Sequence, residues 1–134
     1  MTEGGKVVIV ACAGMDKPLG SVARASVFKV VEDLRPAQAE LICLPPLLAG
    51  VVSHSELVRS LPVITVDGCI ERCATKLIAK NGGKIKARIL VPDSAKKHNL
   101  LPESASHIGP NGEKLAELIA EEIASAVDRL TQEV

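Results

Sequence analysis

Aromatic side chains are almost absent from this sequence. Phe28 is the single aromatic residue among 134, and there is no Trp or Tyr. Proteins that bind single-stranded nucleic acids stack the bases on aromatic rings, so this shortage counts against that class. An excess of one charge is also missing, because 16 Lys and Arg residues balance 16 Asp and Glu residues. Nothing global therefore directs the chain to phosphate backbones or anionic lipids, and we expect neither a nucleic-acid partner nor a membrane partner.

A long apolar run is missing as well. The stretch "MTEGGKVVIVACAG" has about six consecutive apolar residues after one lysine, which is fewer than a signal peptide or a membrane span needs. We therefore expect a cytoplasmic protein. Structural disulfides are disfavoured in that reducing compartment, so the four cysteines are considered first as core thiols, metal ligands or redox groups.

The sequence does contain a repeated pattern of strands. Its 47% hydrophobic and 24% charged residues are typical of a globular protein, and we predict a single domain over 1–134. The run "KVVIVA" at 6–11 does not alternate, as expected for a strand buried on both faces of a parallel sheet. Further strands are predicted at 39–44, 62–66 and 84–91, the last near the sheet edge because its first residues alternate.

Helices are predicted between these strands. Ser21 is the expected cap of the first helix, and a later helix is expected to begin at Cys69 and to end at Asn81. A loop and a short helix are expected before the third strand, and a long loop over 93–112. The final helix shows apolar residues at three-four spacing: Leu115, Leu118, Ile119, Ile123, Ala126, Val127 and Leu130.

This alternation of strands and helices defines a fold class. It predicts one three-layer α/β/α domain with a mostly parallel four-stranded sheet. Our expected strand order is 2-1-3-4, which places a topological switch point between the first and third strands. Ligands of such sheets bind at the carboxyl ends of the strands.

The cysteines follow the predicted strands. Cys12, Cys43 and Cys69 each come at or just beyond the carboxyl end of a different strand. Cys73 lies one predicted helical turn after Cys69, which would place the two Cβ atoms about 5–6 Å apart on one face. Sulfurs around a tetrahedral zinc ion are roughly 3.8 Å apart, a separation that thiols on adjacent turns can reach. The placement therefore predicts a zinc site closed by four thiolates.

The residues around Cys69 suit an ionised thiol. The first-turn N–H groups and the positive end of the predicted helix favour the thiolate. Asp67 is expected to cap that helix or to orient neighbouring amides, and Gly68 to permit a close approach that a side chain would block.

Other interpretations of the thiols stay open. Free cysteines are often buried, so Cys12 and Cys43 could be core residues. Cys69 could also be the nucleophile of a thiol-redox or sulfur-transfer enzyme, with Cys73 or Cys12 as the resolving thiol. Thiolates bind iron–sulfur clusters too, which would make the protein an electron carrier. His54 is an alternative ligand that could replace a cysteine.

The remaining motifs give weaker evidence of function. His54, His98 and His107 lie in polar segments, where a histidine is expected to be solvated. The segment "GMDKPLGS" lacks the Gly-Lys-Ser/Thr ending of a phosphate-binding loop, so we do not assign it that function.

A family resemblance is carried by the cysteines together. Cys12 at the end of the first strand, Cys43 after the second, and "DGC" at 67–69 followed by Cys73 resemble the DGC-motif family, whose members are inferred to bind zinc. The resemblance extends over 6–92 and leaves the C-terminal loop and helix at 93–134 outside it. It implies a metal site made of these four cysteines with zinc as the ion. The resemblance does not indicate a reaction or a protein partner, so both the partner and the question of whether the protein is an enzyme stay open.

Overall fold

Four parallel strands form the centre of the molecule. The structure is a computed structural model that describes residues 6–12, 14 and 16–132; the rest, including Ala13 and Met15 of the loop predicted after the first strand, lie outside the described residues. The strands are β1 (Val7–Cys12), β2 (Ala39–Ile42), β3 (Pro62–Asp67) and β4 (Lys84–Leu90). Their order β2-β1-β3-β4, with every pair parallel, confirms the predicted α/β sheet.

Helices connect the strands and follow the last one. A π-helical turn, Val30–Leu34, continues the first helix before the chain reaches β2. The helices are α1 (Pro18–Lys29), α2 (Leu44–Leu48), α3 (Val52–Ser60), α4 (Cys73–Lys80), α5 (Val91–His98) and α6 (Gly109–Gln132). None of the helices in the described part of the chain combines the length and the apolar character of a membrane span.

The two faces of the sheet are both buried, which explains the unbroken apolar pattern of β1. Val7 and Ile9 pack against α1, α5 and α6 in the larger core. Val8 and Val10 point to the other face and pack against α2, α3 and α4. Successive side chains of a strand point to opposite faces, so a central strand needs apolar residues at every position. The fold therefore has the three predicted layers.

Two predicted helix boundaries and one predicted loop were wrong. Ser21 does not cap α1, because Pro18 starts the helix one turn earlier with a backbone angle already suited to it; the Ser21 hydroxyl donates to the Ala105 carbonyl instead. The segment 93–112 is not all loop, because it contains most of α5, which has Pro92 in its first turn, and the start of α6 at Gly109. Asn99 ends α5 in the left-handed conformation, with φ 55°. The third correction, the start of α4, belongs to the site.

Candidate metal centre

The cysteines lie at one edge of the sheet. Cys12 is the last residue of β1, Cys43 directly follows β2, and Cys69 comes two residues after β3. Cys73 is the first residue of α4. Because β2, β1 and β3 are neighbours in the sheet, this edge gathers thiols from three adjacent strand ends. All four thiols are free.

Cys12 and Cys73 are neighbours. The pKa of the Cys12 thiol is raised from 9.0 to about 11, first by burial and then by the charge of Cys73 and a side-chain hydrogen bond with it. The charges of Asp67 and Cys69 add smaller increases. Burial and nearby negative charge both disfavour a thiolate. At neutral pH Cys12 therefore keeps its proton unless a cation enters this group.

Asp67 holds the start of α4. The residue is only 2% exposed. Oδ1 accepts the Ala74 N–H at 2.9 Å, and Oδ2 accepts the Thr75 hydroxyl at 2.6 Å and the Thr75 N–H at 3.4 Å. Thr65 Oγ1 lies 2.9 Å from Thr75 Oγ1 and ties the same group to the middle of β3. The expected capping role of Asp67 is thus present, with a strand residue capping a helix that starts six positions later.

The segment between β3 and α4 corrects the prediction for Cys69. This residue does not open the helix, because residues 69–72 form a turn in which the Arg72 N–H donates to the Cys69 carbonyl at 3.2 Å. Arg72 is left-handed, with φ 55° and ψ 47°, and α4 begins only at Cys73. Cys69 and Cys73 therefore do not lie on successive turns of one helix. The N–H groups of the first turn of α4 therefore lie next to Cys73 and not next to Cys69. Those of Ala74 and Thr75 donate to the Asp67 carboxylate.

Gly68 joins three elements by close backbone packing. Its N–H donates to the Cys12 carbonyl at 3.2 Å. A Cβ atom at this position would lie 2.7 Å from the Cα of Gly20 in α1 and 3.0 Å from the Cys12 carbonyl oxygen. A side chain here would collide with backbone on both sides. This is the close approach predicted for Gly68, although no sequence pattern indicated Gly20 as the neighbour.

Asp67, Gly68 and Cys69 are consecutive and read DGC in one-letter code. A family model described as DGC domain matches residues 8–128. The chain belongs to the DGC domain family. The match extends beyond residue 92 through α5 and most of α6, so the last helix is part of the family fold. No curated protein and no solved structure matches the chain.

Cys43 stands apart from the other thiols of the DGC domain. Ile42 packs with Val8 and Val10 on the face that also contacts Cys12. Cys43 follows in extended backbone, with φ −87° and ψ 153°, so strand alternation directs its exposed side chain away from that face. Among residues 6–12, 14 and 16–132, no three Cys, His, Asp or Glu side chains are grouped closely enough to hold a metal ion.

The donor chemistry nevertheless suits a soft cation. Cys12 is near enough to Cys69 and Cys73 for their negative charge to raise its pKa. Thiolates are preferred ligands of zinc, Cu(I) and iron–sulfur clusters. By residue type these thiols suit a metal ion, but the described structure does not group three of them closely enough to hold one, and Cys43 would also have to turn its side chain toward Cys12.

The histidines differ from one another. His98 and His107 are exposed, as expected. His54 in α3 is only partly exposed, and its Nδ1 is shielded from solvent without a hydrogen-bond partner in the described part of the chain. The partial burial of His54 could not be predicted from the polar segment "SHSE". It results from the packing of α3, which turns Ser55 and Val58 toward the sheet.

A cleft of about 460 Å³ opens beside the thiols of the DGC domain. Cys12 and Cys43 both border it, at the carboxyl ends of β1 and β2. The first helix supplies one wall, with Arg24 and Phe28, and α2 supplies another, with Leu48.

Proposed function

We propose that this DGC domain binds one zinc ion through the thiolates of Cys12, Cys43, Cys69 and Cys73. The observation that carries the proposal is the position of Cys12 beside Cys73 and near Cys69 at adjoining strand ends. A zinc ion held by four thiolates has no open coordination position for a substrate, so its role would be structural, sensory or in metal delivery.

Electrostatics support a cation at this place. Burial and neighbouring negative groups oppose the ionisation of Cys12 in the free protein. A bound zinc ion would supply the positive charge that lets several neighbouring thiols ionise together. Zinc binding should accordingly release protons and weaken as the pH falls.

Cys43 is the ligand that must move. Its side chain is exposed and the residue directly precedes the short helix α2, so no core packing holds the side chain in its present direction. Turning it toward Cys12 would complete the set of four sulfurs. His54 offers a different fourth donor, since its Nδ1 has no partner among the described residues.

Elemental analysis of the 134-residue chain, purified without added metal, is the first test. We expect about one zinc per chain, as in a closed structural site. Protein with no bound zinc and no affinity for it after reduction would overturn the proposal. Iron with acid-labile sulfide and a brown colour would instead indicate an iron–sulfur cluster.

Single substitutions then assign the ligands. Cys12→Ser, Cys43→Ser, Cys69→Ser and Cys73→Ser should each weaken zinc binding by about tenfold or more in a competition assay with a chromophoric chelator. Asp67→Ala should weaken it less than Cys69→Ser does, because the acid caps α4 and does not contact the ion.

A histidine pair tests the fourth ligand. His54→Ala should leave zinc binding unchanged if Cys43 is the ligand, and His98→Ala is the matched exposed control. If His54→Ala releases zinc while Cys43→Ser and His98→Ala do not, the four-thiolate assignment is wrong.

A thiol-redox function is the second candidate, favoured by the same contact between Cys12 and Cys73. Two-electron oxidation by a disulfide such as oxidised glutathione would join the two sulfurs and leave two reduced glutathione thiols. The raised pKa of Cys12 makes it a poor attacking group, because the thiolate is the nucleophile. Fast disulfide formation in a zinc-free protein, unaffected by Cys43→Ser, would favour this function over zinc binding.

A further inference from the structure

The cleft beside Cys12 and Cys43 has the size and lining of a small-molecule site. Its volume of about 460 Å³ falls in the range of about 300–1,000 Å³ that is usual for ligand pockets. Most of its lining is apolar: Val27, Phe28, Leu41, Leu44, Pro45 and Leu48. Such sites combine an apolar wall with a few polar groups that orient the ligand.

The apolar lining of the cleft includes a charged side chain. Arg24 is the single charged side chain on the lining, and no acidic side chain of the described residues lines the cleft. Arg24 also forms no salt bridge with another residue in the described part of the chain. A guanidinium group is suited to paired hydrogen bonds with a carboxylate. The charge of the cleft therefore favours an anionic head group.

The apolar wall is left open to solvent. Phe28, the single aromatic residue of the sequence, is 42% exposed, and Leu48 is 72% exposed. They belong to different elements, α1 and α2, yet line the same cleft. An apolar chain lying between them would remove both apolar surfaces from water, which favours binding through the hydrophobic effect.

We propose that this cleft binds a medium-length aliphatic carboxylate. Its head group lies on the Arg24 guanidinium and its chain lies between Phe28 and Leu48. The ligand would also cover the Cys43 thiol, because Cys43 borders the same cleft. This inference goes beyond zinc binding and does not require it.

Isothermal titration with octanoate tests the proposal, using 1-octanol as the uncharged probe of the same length. The 134-residue chain is used reduced and chelator-treated, and again after zinc is added. We expect saturable binding of octanoate to one site, and binding of 1-octanol that is weaker by about tenfold, the loss expected for one charge-assisted hydrogen bond. Failure of octanoate to saturate in both preparations, or equal affinity for 1-octanol, would overturn the proposal.

Matched variants locate the site. Arg24→Gln should lower octanoate affinity by about tenfold and leave 1-octanol binding unchanged. Arg59→Gln, which removes an exposed arginine outside the cleft, is the control and should change neither. Phe28→Ala should weaken the binding of both probes. Because Phe28 is 42% exposed, we expect this variant to fold, and circular dichroism checks that it does. Equal octanoate binding by wild type and Arg24→Gln would contradict the assignment.

Protection of a thiol gives an independent readout. Octanoate should slow alkylation of Cys43 by iodoacetamide in the chelator-treated protein, and Arg24→Gln should remove this protection. The zinc content of Arg24→Gln should equal that of wild type, so a failure of this proposal is distinguishable from a failure of zinc binding. Unchanged alkylation of Cys43 at saturating octanoate would place the ligand elsewhere and overturn the proposal.

Discussion

At the scale of single residues, the motif Asp67-Gly68-Cys69 combines three separate tasks. Asp67 accepts hydrogen bonds from the first turn of α4. Gly68 lets β3 approach α1 and β1 more closely than any side chain would allow. Of the three residues, only Cys69 has a side chain left as a candidate metal ligand. Two of the three residues therefore position the thiols, and one supplies chemistry.

Substituting Gly68 tests this division of tasks. Gly68→Ala would place a methyl group 2.7 Å from the Gly20 Cα, so we expect a loss of about 1–3 kcal/mol in the free energy of unfolding from overpacking against backbone. Gly14→Ala is the control, because the nearest atoms there are 3.5 Å away and belong to side chains. Urea denaturation of both metal-free variants measures the difference. Equal stability of the two variants would mean that the close packing at Gly68 is relieved at little cost.

Residue-scale prediction succeeded where the cause was local. Asp67 as a cap and Gly68 as a point of close approach both follow from their residue types. The start of α4 could not be predicted in the same way, because it depends on the left-handed Arg72 and on an acid six residues before the helix. Neither feature has a signature in the spacing of Cys69 and Cys73. For that reason residues 69–72, which were expected to be helical, form a non-helical turn.

At the scale of elements, the apolar pattern of the sequence was sufficient to predict the sheet but not all of the helices. β1 and β3 are buried on both faces, and such unbroken runs have few competing interpretations. α5 was missed because Pro92 after a strand signals an end to pairing, whereas a proline in the first turn also starts a helix well. The segment has few apolar residues to show its period. Its burial at Val91 and Ala95 appears only once α1 and α6 lie beside it.

An ion pair joins two of these elements and gives the protein a pH dependence. Arg35, just after the π-helical turn, donates from Nε and Nη2 to the Asp128 carboxylate of α6, at 2.7 Å each. This hydrogen bonding is the main reason that the pKa of Asp128 lies below its usual 3.8. A lowered carboxyl pKa stabilises the fold above pH 3.8, and this stabilisation is lost as the pH falls through the pKa of the folded state.

Asp128→Asn should therefore be less stable than wild type at neutral pH and approach it below pH 3.8. The effect should be modest, because both side chains are partly exposed. Urea midpoints measured from pH 7 down to pH 3 give the comparison, with Glu122→Gln as an exposed α6 control. A stability gap that stays constant over this range would show that Asp128 acts through packing and not through its charge.

At the scale of the whole molecule, the candidate metal centre depends on the complete sheet edge. Its four thiols come from β1, the β2–α2 junction, the β3–α4 turn and α4. Strand ends could be predicted from the sequence, which is why the common edge was expected. The direction of Cys43 could not, since it depends on the side to which Ile42 packs and on where β2 stops. A site assembled from distant segments exists only in the folded chain, so metal binding at the proposed centre would be coupled to folding.

This coupling predicts that zinc stabilises the protein by mass action. An ion that binds only the folded chain adds about 2.7 kcal/mol to the free energy of unfolding when its free concentration is a hundred times Kd. Urea unfolding of reduced protein in buffered zinc, compared with the same protein in chelator, should show this increase, and Cys12→Ser should remove most of it. Mg²⁺ at the same free concentration should have no effect, because it prefers oxygen ligands. If zinc lowered the stability, the ion would bind the thiols of the unfolded chain more tightly than those of the sheet edge, and the proposed centre would be wrong.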